Sequence, residues 1–269
     1  MSKDYLINGL KNKGLNPFDR GLMFGDGVFR TFKIIDGQPQ HWLTHYRVLQ
    51  NNCKALKIVP PSSSVLIGDI RKLFPDKGTY VGKIIVTRGE SDRGYSLPNK
   101  IKPNRILLKS KHTPIKKEIL TRGVAIKLCK IRSNLFNKMG SSKHLNRLEN
   151  VMAKMELSSS FFDGLLLDEQ GFVTECASHN IYLRMGKTIL TPLLKDKGVV
   201  GVSQDIILNF AKKQNYKIKS CNIKLDKILN SDEFFISNSI NGVIPVRSFS
   251  GKQWKDFSFT NEFNSKASL

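Results

Sequence analysis

The chain has 269 residues, enough for one large domain or two modest ones, and its 40% hydrophobic and 25% charged residues are ordinary for a folded globular protein. No apolar run approaches the roughly 20 residues that cross a bilayer, and residues 1–4 lack the apolar core of a signal peptide. The formal charge of +22 is spread along the chain, so we interpret it as a lysine-rich solvated surface rather than a nucleic-acid site.

The first half of the chain alternates strand patterns with one helix. Tyr5 to Gly9 is typical of a short strand ending in a turn, and Val28 to Ile35 predicts a strand that ends at the hairpin signal Asp36-Gly37. Further strands are predicted over Lys83–Thr87 and Arg105–Leu108. Between the hairpin and these strands, five apolar residues at helical spacing predict a helix with one buried face: Trp42, Tyr46, Leu49, Cys53 and Leu56.

The break at Lys111-His112-Thr113-Pro114 predicts a domain boundary, because Pro114 disfavours helix before it and the preceding strand has ended. We therefore expect a small α+β domain over 1–113 and a larger domain over 114–269. In the second domain we predict a helix with an inner face, short strands from Gly164 to Leu190, and a frayed polar end from Asn261. The inner face is Leu145, Leu148, Met152 and Met155; the other predicted elements are strands Val124–Cys129, Phe234–Ile236 and Val243–Val246 and a helix over Gln204–Phe210.

Lys143 lies just before the first of these helices, in the stretch GSSKHLNRLE over residues 140–149. An isolated lysine near a helix start is most often a solvated surface charge. A helix N-terminus disfavours a cation, however, and the same field helps a lysine lose its proton, as a covalent bond to a carbonyl requires. Lys143 is therefore a candidate for amine chemistry.

Three further polar features follow in the second domain. Glu175 lies in a strand-like stretch between apolar neighbours, where it is either an outward-facing residue or a carboxylate that faces a cationic ring nitrogen. Glycines and a serine over 198–203 precede a helix and predict an anion-binding turn. The polar turn over 237–242 leaves an apolar strand, a place that often carries function.

At this point the sequence resembles a known family. Residues 24–29, FGDGVF, resemble the FGDGxF signature of the pyridoxal-phosphate (PLP) dependent class IV aminotransferases, which include branched-chain and D-amino-acid aminotransferases and 4-amino-4-deoxychorismate lyases. Residues 143–149, KHLNRLE, and the stretch from Thr87 to Ser96 are similar to the lyase branch in particular. The features at 175, 201–203 and 244–246 follow in the family's order, so the resemblance runs from about residue 5 to 246.

The resemblance implies a two-domain α+β protein of PLP fold type IV, similar to D-amino-acid aminotransferase. It implies that Lys143 binds PLP as a Schiff base and that Glu175 pairs with the pyridine nitrogen. The phosphate would be held by the amides of Val202 and Ser203 with the Ser203 hydroxyl, and from the other side by Ser239 and the Ile240 amide. Arg93 and Tyr95 would lie towards the substrate, and the protein would be a homodimer.

Two departures concern the phosphate. The family usually carries an arginine in a pattern like HxxRL on the first-domain helix, and here that position is Val48. Arg47 is a candidate phosphate contact, but it lies about 100° around the helix and is not an easy substitute. The later turn often ends with arginine, and here it is Gln204. Either PLP binds more weakly than usual or another cation compensates.

The implied activity is a lyase that converts 4-amino-4-deoxychorismate to 4-aminobenzoate and pyruvate in folate biosynthesis. The alternatives are an aminotransferase acting on D-amino or branched-chain acids, which shares Lys143 and the cofactor, and a degenerate member without activity. Four scattered cysteines form no CxxC pair, so we predict no metal site and a reducing, cytoplasmic location. The expected partners are a small-molecule substrate and a second copy of the chain, with no membrane.

Overall fold

The computed structural model describes residues 4–133, 142–194, 198–199 and 201–267. Gly140, Ser141 and Val200 of the predicted motifs lie outside these residues. The chain forms two compact units. The first comprises Met1–Thr113 together with Ser142–Asn146, and the second comprises Pro114–Ser141 and Arg147–Leu269. Lys143 therefore belongs to the first unit, in a five-residue segment whose flanking stretches belong to the second.

The first unit is a five-stranded antiparallel sheet, in the order β1-β5-β4-β2-β3, covered by helices. Its elements are β1 (Tyr5–Ile7), α1 (Arg20–Phe24), β2 (Gly27–Ile35), β3 (Gln38–Pro39), α2 (Trp42–Ala55), α3 (Ser63–Leu73), β4 (Thr79–Thr87) and β5 (Asn104–Lys111). The predicted hairpin is confirmed. Asp36 and Gly37, with φ of 47° and 75°, join β2 to β3 by the positive-φ pair that suits a tight hairpin turn.

The predicted buried face of α2 is also confirmed. Leu49 and Cys53 are fully buried, and Trp42, Tyr46 and Leu56 are partly buried against the same core. That core fills the space beside the sheet with the alternate residues Val28, Phe32 and Ile34 of β2 and with residues of α3. Two polar residues of α2, His45 and Asn52, are buried on the same side of the helix.

The second unit contains a nine-stranded mixed sheet in the order β11-β10-β9-β12-β13-β6-β7-β8, with β14 paired to β13. Parallel pairs join β6 to β13, β6 to β7 and β10 to β11. Its elements are α4 (Lys117–Arg122), β6 (Val124–Arg132), α5 (Leu148–Met155), β7 (Asp163–Leu167), β8 (Val173–Cys176), β9 (Asn180–Met185), β10 (Thr188–Pro192), α6 (Val202–Lys213), β11 (Lys217–Cys221), α7 (Leu225–Leu229), β12 (Glu233–Asn238), β13 (Gly242–Phe249), β14 (Lys252–Gln253) and α8 (Ser258–Lys266).

The predicted inner face of α5 is wrong. Leu148, Met152 and Met155 are 65%, 44% and 79% exposed, Leu145 precedes the helix, and the buried residue of α5 is Ala153. Ala153 packs with Cys129, Leu166 and Ala177. A small side chain lets the helix approach its sheet closely, so its long apolar side chains are left on the opposite surface.

The predicted fraying from Asn261 is also wrong as far as residue 267, because α8 covers most of that stretch. Phe259 and Phe263, one helical turn apart, are buried with the aromatic residues of β9 and β12. The first turn of α8 is held by the buried carboxylate of Glu233, which accepts hydrogen bonds from the Phe259 and Thr260 amides at 3.0 and 2.9 Å. Residues 268–269 lie outside the described residues.

None of the helices in the part of the chain that the structure describes is long and apolar enough to cross a membrane.

Candidate active site

Lys143 lies on an extended segment that pairs with β2, five residues before α5 begins at Leu148. The Lys143 carbonyl accepts a hydrogen bond from the Phe29 amide at 2.9 Å, and the Lys143 amide donates to Asn52 Oδ1 at 3.2 Å. The expectation that Lys143 sits at a helix start is therefore wrong. A backbone hydrogen bond with β2 and a hydrogen bond to the Asn52 side chain of α2, rather than the field of a helix end, fix this lysine.

The side chain of Lys143 lies against Phe29. Its Nζ is 4.8 Å from the centroid of the Phe29 ring, and Nζ of Lys83, on β4, is 4.6 Å from the same centroid. Burial lowers the pKa of Lys83. The amines of Lys143 and Lys83 thus lie against the same Phe29 ring.

The FGDGVF motif organises the backbone next to Lys143. A Cβ on Gly25 would lie 2.2 Å from Asn146 Oδ1, and Gly25 has φ of 65°, so this position requires glycine. Asp26 accepts hydrogen bonds from Nε of Arg20 at 3.0 Å and Nε of Arg88 at 2.6 Å. Both arginines are buried, so the motif is a charged cluster that locks the start of β2 in place.

Arg30 is a buried arginine that sequence reasoning missed. It is 4% exposed, and its Nε and Nη1 atoms have no hydrogen-bond partner among the described residues. Burial lowers the pKa of Arg30 to about 10, which leaves the guanidinium charged at neutral pH. The available signal was the alternation of β2, which places Arg30 on the same side as Val28 and Phe32.

His45 of α2 lies near Arg30. It is 2% exposed and its Nδ1 has no partner in the described part of the chain. Burial, followed by the positive charges of Arg30, His41 and Lys143, lowers the pKa of His45 to about 3. His45 is therefore neutral at physiological pH, and the charge of this buried pair belongs to Arg30.

In the second unit, Glu175 is a buried residue of β8, at 6% exposed. Its Oε2 accepts a hydrogen bond from the Val199 amide at 2.9 Å. Burial lowers the pKa of Arg147, and the negative charges of Glu175 and Glu149 oppose that shift, which places the Arg147 guanidinium within electrostatic reach of Glu175. Arg147 follows Lys143 in the KHLNRLE stretch, and sequence reasoning assigned it no role.

The turn before α6 is held by Asn180 of β9. The Asn180 side-chain amide donates to the Val199 carbonyl at 2.6 Å, and a Cβ on Gly201 would lie 2.1 Å from Asn180 Oδ1. Gly201 is the N-cap residue of α6 and has no side chain with which to cap the helix. Val202 and Ser203, the first two residues of α6, are buried, and Ser203 Oγ lies 3.0 Å from Ser237 Oγ.

The remaining predicted residues lie in turns and on surfaces. Ser239 and Ile240 form the turn between β12 and β13, where the Ile240 amide donates to Asn238 Oδ1 at 2.9 Å. Arg93 and Tyr95 are exposed, and the Arg20 guanidinium holds their loop through the Tyr95 carbonyl at 3.1 Å. Arg47 is exposed on α2. Their assigned roles stay predictions.

These features fit a phosphorylated cofactor with a cationic ring. The first unit offers the Lys143 amine and the Arg30 guanidinium, two of whose nitrogens have no hydrogen-bond partner among the described residues. The second offers a buried carboxylate on Glu175 and the N-terminus of α6, where the N-cap residue is Gly201 and backbone amide groups suit an anion. Each requirement of PLP therefore has a matching group in the chain.

Comparisons with known proteins cover nearly the whole chain. The model of the family described as amino-transferase class IV matches residues 27–249. The aminodeoxychorismate lyase of Vibrio harveyi is 29% identical over 254 residues, 93% of each chain. That of Bacillus subtilis (strain 168) is 30% identical over 246 residues, 87% of this chain and 81% of the relative. The crystal structure of 4-amino-4-deoxychorismate lyase from Pseudomonas aeruginosa matches with a TM-score of 0.92 and 30% identity, over 97% of both chains.

Proposed function

Because the chain belongs to the amino-transferase class IV family, we propose that it is an aminodeoxychorismate lyase, which converts 4-amino-4-deoxychorismate to 4-aminobenzoate and pyruvate in folate biosynthesis. The observation that carries this proposal is the match to the Pseudomonas aeruginosa lyase over 97% of both chains. The protein uses pyridoxal 5′-phosphate, the cofactor of this family.

When bound, PLP supplies an electron sink for the negative charge that develops at the substrate carbon bearing nitrogen. Lys143 would hold the cofactor covalently and be displaced by the substrate amine. Its free amine would then remove the proton from that ring carbon and return a proton to the departing enolpyruvyl group as the C–O bond breaks. The ring becomes aromatic, which drives the elimination.

The other assigned roles are binding roles. Glu175 would hold the proton on the pyridine nitrogen, supported by its burial and by its hydrogen bond from the Val199 amide. The start of α6 at Val202 and Ser203 would bind the phosphate, together with the turn at Ser239 and Ile240. Among the exposed residues, Arg93 and Tyr95 would contact the substrate, whose carboxylates suit an arginine. Arg47 stays a candidate phosphate contact.

We also propose a homodimer in the cytoplasm. Leu148, Val151, Met152 and Met155 form an exposed apolar stripe along one side of α5, and such patches mark protein interfaces. All four cysteines are free thiols, in keeping with a reducing compartment.

The covalent role of Lys143 is tested by borohydride reduction of the PLP-loaded protein, followed by peptide mapping. We expect the pyridoxyl label on Lys143. Lys83 supplies a matched control because its amine lies against the same Phe29 ring. The label should stay on Lys143 in a Lys83→Ala variant and be lost in Lys143→Ala. A label on Lys83 in the wild type would show that the wrong lysine has been assigned.

The reaction is tested by supplying aminodeoxychorismate without any keto acid. We expect 4-aminobenzoate and pyruvate in equal amounts over many turnovers. The rival activity is measured with D-alanine or leucine and 2-oxoglutarate, and the two are compared by kcat/KM, which reports differential transition-state binding. A higher kcat/KM for transamination would overturn the lyase proposal and leave the family assignment intact.

A further inference from the structure

The side chain of Arg30 is buried without a carboxylate partner among the residues that the structure describes. Four arginines are buried in the part of the chain that the structure describes. Arg20 and Arg88 form salt bridges with Asp26, and Arg184 forms one with Glu233. Arg30 forms no salt bridge with a described residue, and two of its three guanidinium nitrogens have no hydrogen-bond partner there.

An arrangement of this kind favours an anion that none of the described residues supplies. Burying a charge without a partner is strongly unfavourable, and the charge is normally paired or neutralised. Arg30 cannot lose its charge by deprotonation, since its guanidinium stays protonated at neutral pH. The neutral imidazole of His45, which lies near Arg30, supplies no negative charge.

The position of Arg30 indicates which anion it binds. His45 of α2 lies against Phe32 of β2, with ring centroids 5.5 Å apart, and Arg30 lies two residues before Phe32 on the same face of that strand. Val48 follows His45 by three residues, about one turn along the same helix, so both residues lie on neighbouring positions of one helix side. Val48 is the position at which the family resemblance implies a phosphate-binding arginine. Arg30 therefore offers a guanidinium beside the part of α2 from which one is missing.

We propose that Arg30 binds the phosphate of the cofactor in place of an arginine at position 48, through charge-assisted hydrogen bonds from its guanidinium to the phosphate oxygens. The assignment rests on the proposed use of PLP. It moves the phosphate-binding cation from helix α2 to strand β2, and it makes His45 a neighbour of the bound anion that can donate one further hydrogen bond.

The test compares PLP with pyridoxal, which lacks the phosphate, by equilibrium dialysis against the apoprotein in phosphate-free buffer. Arg30→Met keeps an unbranched side chain without the charge. It should weaken PLP binding roughly tenfold or more, the worth of a charge-assisted hydrogen bond, and leave pyridoxal binding unchanged. Adding Val48→Arg to Arg30→Met should restore most of the PLP affinity. Arg71→Met, at an exposed arginine of α3, controls for net charge and should leave both affinities unchanged.

Thermal unfolding of the apoprotein separates a ligand-binding role from a structural one. Since the unpaired charge is unfavourable in the apoprotein, Arg30→Met should unfold at the same or a higher temperature than the wild type. Equal losses of PLP and pyridoxal affinity, or a lowered unfolding temperature, would assign Arg30 a structural role and overturn the proposal. Unchanged PLP affinity with a raised KM would overturn it by moving Arg30 to a substrate carboxylate. Failure of the wild type to bind PLP would refute the proposed function and this assignment together.

Discussion

Arg184 in the second unit and Arg30 in the first are both buried arginines on β-strands, yet their surroundings are opposite. Arg184 donates to Glu233 at 3.0 Å and to Asp256. Burial alone would lower the pKa of Arg184, but its hydrogen bond to Glu233 and the charges of Asp256, Glu233 and Asp232 outweigh burial and raise the pKa. For Arg30 burial acts unopposed and lowers the pKa to about 10.

The difference indicates that Arg184 stabilises the fold, whereas Arg30 is available to bind a ligand. Glu233 also accepts hydrogen bonds from the first turn of α8, so Arg184 belongs to a cluster that joins β9, β12 and the C-terminal helix. Removing Arg184 breaks that cluster. The Arg30 guanidinium pairs with no carboxylate among the described residues. Removing it should therefore weaken anion binding rather than lower the stability of the fold.

The largest expected effect is on Arg184. Arg184→Met should lower the free energy of unfolding by about 3–5 kcal/mol, because it leaves the Glu233 carboxylate buried without its cation. Urea unfolding of the apoprotein measures the change. Arg247→Met, at an exposed arginine of the same sheet, is the matched control and should change the free energy of unfolding by less than about 0.5 kcal/mol. If both variants lose the same amount, the salt bridge between Arg184 and Glu233 does not stabilise the fold.

A smaller effect is expected from His45 as pH falls. The pKa of His45 is about 3 in the folded chain, against 6.5 for an ordinary histidine, because of burial and the charges of Arg30, His41 and Lys143. The unfolded chain therefore takes up a proton below pH 6.5 that the folded chain refuses until about pH 3. The contribution of His45 to the free energy of unfolding is therefore fully present above pH 6.5. It falls by about 2 kcal/mol on going to pH 5, because the unfolded chain is then protonated at His45.

The measurement is urea unfolding of the wild type and His45→Gln between pH 7 and pH 5. The wild type should lose more stability than the variant over this range, by the contribution of His45. Saturating PLP should reduce the difference, because an anion bound at Arg30 offsets the positive charge beside His45. Parallel pH profiles for the two apoproteins would mean that His45 is accessible to protons in the folded chain.

The sequence predicted local features well and tertiary choices poorly. The alternation of β2 and the Asp36-Gly37 turn depend on neighbouring residues only, and both are confirmed. The side of α5 that packs on the sheet depends on Ala153 and a close approach that no periodicity shows. Helix α8 was missed because its polar residues outnumber Phe259 and Phe263, although their spacing of four residues was the available signal.

The residues of the candidate site likewise fall into those that local sequence motifs predict and those that depend on tertiary contacts. Lys143 and Glu175 could be chosen from the sequence because each lies in a recognisable stretch with a fixed order along the chain. Arg30 was missed, because the alternation of β2 places it on one face with Val28 and Phe32 but does not say that α2 covers that face. Arg147 was passed over because its electrostatic link to Glu175 joins residues 28 positions apart.

The smallest expected effect is the most discriminating. The missing arginine at Val48 taken alone predicts that Val48→Arg tightens PLP binding about tenfold, by adding a charge-assisted contact. With Arg30 already serving the phosphate, a second guanidinium meets an anion that is already paired and is repelled by the first. We therefore expect Val48→Arg in the wild-type chain to change the Kd for PLP by no more than about twofold, whereas the same substitution in Arg30→Met should tighten binding strongly. Equilibrium dialysis of PLP against the wild type and Val48→Arg, and against Arg30→Met and the double variant, measures the coupling energy between positions 30 and 48. Equal tightening in both backgrounds would mean that position 48 and Arg30 act independently, and that Arg30 does not serve the phosphate.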